Sequence, residues 1–447
     1  MARRKKQSSA LSLLADAYLA LLMTVMVFAC TGQGYLTLQN DKWTVFLFLT
    51  GGYVGLSILL WLEEVLTGLR APSELKEAVR SASWVHRLMA VYLIWTLLSA
   101  LLSPYGSAVW RGATRNEGAL TIALYVLSFS LLSRFSRPKG WMLWALGVTV
   151  TLQSAICLLQ LYGGNPLGLY PEGLSYFDAG KAYSGAFLGT VGNVDFLGSY
   201  YCLALPMLWA AVVRLKSSRR FLLLIPFALG FCVIVKMQVL SCFAGVLIGG
   251  AAALPFVLPA KEKTRRALGI GILALGAAAV LLLWFADFGD GAAHSLHLML
   301  HGQIPGSVDS GRLYIWREVL LRARERLLFG FGPDTLSLAK IAPFERYDPD
   351  LNLLIQGGID AAHNEYLNIL FHQGIPALAA YLGALALALV SAWKQSRSSA
   401  AAAILTAAFL GYAVQAFFNI SVCYVASLYW AVLGLLAGCG MIQAKGK

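Results

Sequence analysis

The chain of 447 residues is 58% hydrophobic and only 13% charged, more apolar side chain than a soluble core of this length uses, and the apolar residues come in long blocks. Its net charge of +13 would suit nucleic acid only if the basic residues formed a patch on a soluble face. They sit instead in short links between apolar blocks, so composition excludes a soluble nucleic-acid binder and predicts a polytopic membrane protein.

The opening, Met1 to Lys6, is basic and precedes an apolar run in the manner of a signal peptide. No small-x-small cleavage pattern closes that run, so a retained first helix is expected. With about 20 apolar residues per crossing of a hydrocarbon core roughly 30 Å thick, about twelve helices are expected. Their extents are 11–31, 43–62, 85–103, 118–135, 140–162, 195–214, 221–238, 240–259, 267–286, 376–393, 398–419 and 425–443. Fixing the N-terminus inside brings Arg134, Arg137 and Lys139 inside, then Arg214, Lys216, Arg219 and Arg220, then Lys261, Lys263, Arg265 and Arg266. Lys394, Arg397, Lys445 and Lys447 follow, and the positive-inside rule is met at nearly every link. The expectation is an all-α polytopic bundle in a cell membrane, both termini cytoplasmic. It divides into an N-terminal membrane bundle over 1–286, an extracytoplasmic helical segment over 287–375 and a C-terminal membrane bundle over 376–447. No internal repeat of the solenoid or inverted-transporter kind is visible.

On this topology residues 104–117, 163–194, the turn near Gln238 and the long interval 287–375 face outward. No ATP is present there, so chemistry on that side needs a substrate that arrives already activated. Within the interval, Asp309 or Ser310 caps a helix from Arg312, and Leu313, Trp316, Leu320, Ala323 and Leu327 make one apolar stripe. Arg317, Glu318, Arg322, Arg324 and Glu325 make the other face, which suits a helix lying at the membrane surface or against the helical bundle. Gly330, Gly332 and Pro333 end it. A second helix is expected from His363 to Gly374, with Pro376 opening the next span. Arg312 and His363 thus stand near helix N-termini, where unpaired N–H groups favour anions.

Other polar residues are weighed against structural readings. The seven cysteines show no disulfide or metal spacing and read as small buried hydrophobes. His294, His297 and His301 share a helical stripe, which suits an interfacial amphipathic segment better than a metal site. His372 ends its helix, where an imidazolium suits the dipole. Arg115 and Glu117 pair as a loop ion pair unless Arg115 serves a binding site. Lys236 is the one basic residue inside an apolar helix, where burial is expensive without a partner, and it either snorkels to the outer interface or serves a binding site. Asn419-Ile420-Ser421 matches a glycosylation sequon by chance.

Several pieces together carry a family resemblance: Gly112-Ala-Thr-Arg-Asn-Glu-Gly118, Gly189 to Pro206 around Gly192-Asn193-Val194-Asp195, Gly311-Arg312 with Trp316, Gly330 to Pro333, His363-Asn364-Glu365-Tyr366-Leu367 with Gly374, and Gly411-Tyr412 through Gln415 to Ser421. In this order the chain resembles the O-antigen ligase and O-antigen polymerase superfamily. The resemblance implies a glycosyltransferase of the GT-C type that takes a glycan from an undecaprenyl-diphosphate carrier and joins it to an acceptor hydroxyl on the outer face. The acceptor would be a glycan, lipid, wall or protein hydroxyl. The transfer it implies is inverting and uses neither metal nor other cofactor. His363 would match the general base and Arg312 an arginine holding the diphosphate, with Arg115 on the donor side and Asn193, Asn364, Glu365 and Tyr366 in support. Both roles make independent chemical sense: a neutral imidazole suits removal of a hydroxyl proton, and a guanidinium stabilises the charge that grows on the leaving diphosphate. The chain departs from the family at Leu240-Ser241-Cys242, where many members carry a Ser-Arg pair. Lys236, just before the same turn, is expected to replace that arginine in part. The rival functions are a transporter or flippase of lipid-linked glycans and a catalytically silent scaffold that binds the carrier lipid.

Overall fold

Inside a bilayer every backbone N–H and C=O needs a partner within the chain, so long apolar blocks close into helices. The computed structural model of the protein describes residues 2–31, 33–178, 186–289, 291–303, 312–341, 343–348 and 353–445. Among these, ten helices are long and apolar enough to cross a membrane: Ala10–Phe28, Leu38–Leu66, Trp84–Leu101, Gly140–Leu161, Val194–Arg214, Ser218–Met237, Leu240–Val257, Glu262–Phe285, Ile375–Gln395 and Cys423–Gly440. The remaining two expected extents fall on the shorter apolar helices Ala119–Phe135 and Ala400–Ala416. The chain is thus a helical, polytopic membrane protein.

Burial grades the helices. The most apolar stretches of Val194–Arg214 and Cys423–Gly440 are each 83% buried, whereas that of Glu262–Phe285, the most apolar of all, is 0% buried. An apolar stretch that buries no side chain against protein is one that faces lipid. At the centre, Val194–Arg214 packs on Ala400–Ala416, and Ala119–Phe135 packs on the last helix, Cys423–Lys445. Small residues permit the approach: a Cβ on Gly411 would come within 2.1 Å of the Cys202 carbonyl oxygen.

The interval between the ninth and tenth expected helices departs from the expectation in three ways. It is not wholly helical, because Phe344–Asp348 pairs antiparallel with Leu353–Gly357. The Arg312–Ala323 helix buries Ile315, Val319 and Ala323, of which only Ala323 belongs to the expected stripe, while Leu320 and, beyond the helix, Leu327 are exposed. The buried three meet Phe331, Leu336, Ile359, Ala362 and Phe371 in a small core of their own, and this core, not the bilayer, orients the helix. Third, the following helix is Glu365–Gln373, so His363 lies outside it, ahead of its cap. The expected caps Asp309 and Ser310 lie outside the described residues. A further two-stranded pairing joins Phe187–Leu188 to Gly192–Asn193.

One end of the bundle collects the chain's irregular backbone. Tyr35 N–H donates to Leu169 O at 3.0 Å, Ala113 N–H to Asp334 O at 2.9 Å and Phe331 N–H to Phe371 O at 3.0 Å. Close backbone approach there requires glycine at two positions. Gly112 has φ +105°, and a Cβ on it would lie 2.2 Å from the Asp334 carboxylate. Gly330 has φ +65°, and a Cβ would lie 2.3 Å from the His372 carbonyl oxygen.

Candidate active site

His363 has φ +47°, an uncommon conformation for a residue other than glycine. Both neighbours hold it there. The Ala362 N–H donates to Asn368 Oδ1 at 2.9 Å, and Ala362 O accepts from the Trp316 indole at 2.9 Å. On the other side, Asn364 Oδ1 caps the next helix, accepting from the N–H groups of Tyr366 at 3.0 Å and Leu367 at 3.1 Å. The imidazole is thereby turned out of the helix, and its Nδ1 is buried with no hydrogen-bond partner among the described residues. Burial first, and the Arg312 guanidinium second, push its pKa below the ordinary histidine value, against opposing pulls from Asp195 and Asp360. The ring is therefore neutral near pH 7, the form that accepts a proton.

Arg312 opens its helix and reaches Asp195, with Nη2 3.6 Å from Oδ1. Asp195 is placed by the start of the Val194–Arg214 helix, whose cap is Asn193: Asn193 Oδ1 accepts from the Asp195 N–H at 2.9 Å. The Asp195 carbonyl is held in turn by Asn419 Nδ2 at 2.8 Å and Gln415 Nε2 at 3.4 Å. Asn419 is buried there, which closes the apparent sequon.

Arg115 approaches from a third element. Its Nη2 donates to Asp360 Oδ2 at 2.5 Å, and its guanidinium lies 5.7 Å from the Phe196 ring centre. The expected Arg115–Glu117 pair does not form; Glu117 accepts instead from the Tyr125 hydroxyl at 2.9 and 3.0 Å. What fixes the loop is Asp334. Its Oδ2 accepts from the N–H of Arg115 at 2.8 Å and of Thr114 at 3.2 Å, and its Oδ1 from the Thr114 hydroxyl at 3.1 Å. Burial raises the Asp334 carboxyl, and the N–H groups of Arg115 and Thr114 act against that rise. The Phe329–Asp334 turn is thus the clamp that aims Arg115.

The supporting residues hold this frame. Glu365 Oε2 accepts from the Ser421 N–H at 2.9 Å, and the Tyr366 hydroxyl donates to Ala413 O at 2.8 Å, tying the His363 turn to the Ala400–Ala416 helix and to the link that follows it. Arg312, His363, Arg115 and Asn193 are brought to one place; Lys236 is not. It is exposed in the last turn of its helix rather than buried, and among the described residues no ion pair joins it to the cluster. Cys242 is buried, and a Cβ on Gly198 would lie 2.0 Å from its Sγ. The helices meet too closely there for an arginine.

Asp195, Asp360 and Asp334 were not singled out from sequence as site residues. The available signal was their position beside a cap or glycine turn in a chain with 22 acidic residues. His372 also differs from expectation. Its ring Nε2 is buried without a partner among the described residues, and burial pushes its pKa down to about 3, so it is neutral rather than an imidazolium. The His294, His297 and His301 stripe is spent locally, on Asp287, Leu283 O and His297 O. All seven cysteines are free, with Cys30 and Cys232 exposed rather than buried.

A neutral base with an open ring nitrogen beside two guanidiniums can remove a hydroxyl proton while holding an anionic leaving group. Residues 225–382 match the family model described as O-Antigen ligase. The match bears out the resemblance to the O-antigen ligase and polymerase superfamily. The matched segment contains Arg312, Asp334, Asp360 and His363; Arg115 and Asp195 reach the cluster from outside it. No curated protein matches the chain.

Proposed function

We propose that this O-antigen ligase-like protein transfers an oligosaccharide from an undecaprenyl-diphosphate carrier to an acceptor hydroxyl on the outer face of the cytoplasmic membrane. The observation that carries the proposal is His363: a neutral imidazole, held in a rare backbone conformation, with an unpartnered nitrogen and Arg312 beside it. In this reaction His363 takes the acceptor proton as the oxygen attacks the anomeric carbon from the face opposite the diphosphate. The sugar's configuration inverts, and the diphosphate leaves with the bonding electron pair. Arg312 and Arg115 hold its growing charge, and a bidentate guanidinium contact is worth most when that charge is fully developed. Asp195 and Asp360 keep the two arginines extended until the donor arrives. Lys236, outside the cluster, is assigned the smallest share.

The test is reconstitution of the full chain with an undecaprenyl-diphosphate oligosaccharide and candidate acceptors, comparing wild type with His363→Ala for carrier release and product growth. Turnover in wild type, lost in the variant with carrier binding kept, is the expected result. Equal turnover in both removes His363 as the base. A product ladder marks a polymerase, and a single addition marks a ligase. Cysteine labelling that found residues near His363 in the cytoplasm would defeat the carrier-lipid assignment.

A further inference from the structure

Beneath the cluster lies a polar cavity of about 50 Å³. Arg115 and Asp360 form part of its wall, and both also act on the His363 ring. Three polar atoms on its wall are buried without any protein partner among the described residues: Arg115 Nε, His372 Nε2 and Gln373 Oε1. A polar cavity holds water when it exceeds roughly 10–15 Å³ and offers two or more partners, so this one has room for about three waters. Glu117 and Glu365 stand on the same wall. Among the described residues neither makes an ion pair; their bonds run to the Tyr125 hydroxyl and the Ser421 N–H.

We propose that this cavity is a water-filled proton path and that Glu117, paired with Glu365, receives the proton that His363 removes from the acceptor. The inference rests on the glycan transfer proposed above. Arg115 on that wall is paired with Asp360, and two half-buried carboxyls left without a cation of their own disfavour a second negative charge, so the pair favours taking up a proton. Burial and the neighbouring Glu365 indeed raise the Glu117 carboxyl well above the ordinary range, and burial raises Glu365. The groups facing Glu117 fit this use. Glu365 and His372 come from the Glu365–Gln373 helix, Asp334 from the glycine turn, Cys423 from the start of the last helix and Tyr92 from Trp84–Leu101. None of these supplies a fixed positive charge, and Arg115, on the same wall, is paired with Asp360.

The steps balance. The acceptor oxygen forms its bond to the sugar, the bond from the sugar to the diphosphate oxygen breaks with its electrons leaving on the diphosphate, and the hydroxyl proton moves to His363. The imidazolium then passes that proton through the cavity water to the carboxyl pair, and His363 returns to its neutral form. Product release reopens the site, and the pair returns the proton to bulk water along the same path. Glu117 acts through His363 and touches neither substrate.

The experiment compares wild type, Glu117→Gln and Glu117→Asp as full-length protein in lipid nanodiscs, with the undecaprenyl-diphosphate oligosaccharide as donor. Glu117→Gln keeps an acceptor for Tyr125 and is expected to lower kcat about tenfold to a hundredfold with the donor KM unchanged, to enlarge the solvent deuterium isotope effect on kcat, and to be partly rescued by aspartate. Unchanged kcat overturns the proposal, as does a loss in which kcat, KM and thermal midpoint move together and aspartate does not rescue. A second readout is independent of turnover: the infrared C=O band of a protonated carboxyl group, present in wild type and lost in Glu117→Gln. Absence of that band in wild type overturns the proposal even where transfer itself proceeds. Failure of wild type to transfer glycan while the band is present counts against the transferase assignment instead.

Discussion

Two arginines enter the bundle from opposite ends, and they are treated differently. Arg265, at the end remote from His363, has a side chain only 2% exposed. It donates to Pro255 O at 2.7 Å, Trp393 O at 2.9 Å and Ser396 Oγ at 2.9 Å, and its guanidinium lies 4.5 Å from the Trp393 ring centre. Arg312 is 20% exposed, and its ion pair with Asp195 is a loose 3.6 Å. A guanidinium held by three hydrogen bonds joins helices, whereas one with a single loose ion pair among the described residues keeps donors for an incoming anion. The comparison separates an anchor from the arginine proposed above to hold the donor.

The comparison breaks most visibly at His363. His363→Ala is expected to lower turnover about a thousandfold, near 4 kcal/mol of transition-state stabilisation, with the thermal midpoint unchanged. A loss of midpoint in step with activity would make His363 a packing residue. Arg312→Ala comes next, with a loss of about a hundredfold in kcat/KM and partial recovery in Arg312→Lys. Equal recovery by lysine and arginine would remove the bidentate contact from the account. Arg265→Ala should do the opposite, costing about 2–3 kcal/mol in denaturant unfolding while kcat per folded molecule holds.

Smaller effects sharpen the same contrast. His363 and His372 have folded pKa values below the ordinary value, near 3 for His372. As pH falls below about 6.5 the unfolded chain binds protons that the folded chain does not, so these histidines make stability fall with falling pH, and for His372 the effect runs down to pH about 3. Unfolding midpoints measured from pH 8 to 5 should drop in wild type, and the drop should be shallower in a variant with both histidines replaced by glutamine. Lys236→Ala should change turnover by no more than about threefold. A loss as large as that of Arg312→Ala would return Lys236 to the donor site.

The helical frame was legible because hydropathy and helix periodicity are local properties. Ten of the expected extents coincide with helices able to cross a membrane, and the other two with shorter apolar ones. Arg312 and the His363 turn could be found because a cap, a glycine and a proline are local signals too. The face of the Arg312–Ala323 helix could not: the periodic stripe fits lipid as well as protein, and only the small core around Phe331 and Phe371 selected Ile315 and Val319. The Phe344–Gly357 hairpin was equally hidden, since its pairing satisfies backbone groups that a short apolar run leaves open to either structure.

Charges diverged furthest between sequence and structure. The pair of Arg115 with Asp360 spans 245 positions and that of Arg312 with Asp195 spans 117, whereas the nearby Glu117 turned away to Tyr125. The sequence by itself determined a membrane chain of many helices with its chemistry-bearing motifs in the links between them, because lipid filters residues by hydropathy one segment at a time. The tertiary structure alone decided which carboxylate faces which guanidinium, that Asp334 aims the Arg115 loop, and that Glu117 and Glu365 line one cavity, because an electrostatic partner is chosen by distance in space and burial, neither of which is written locally in the chain.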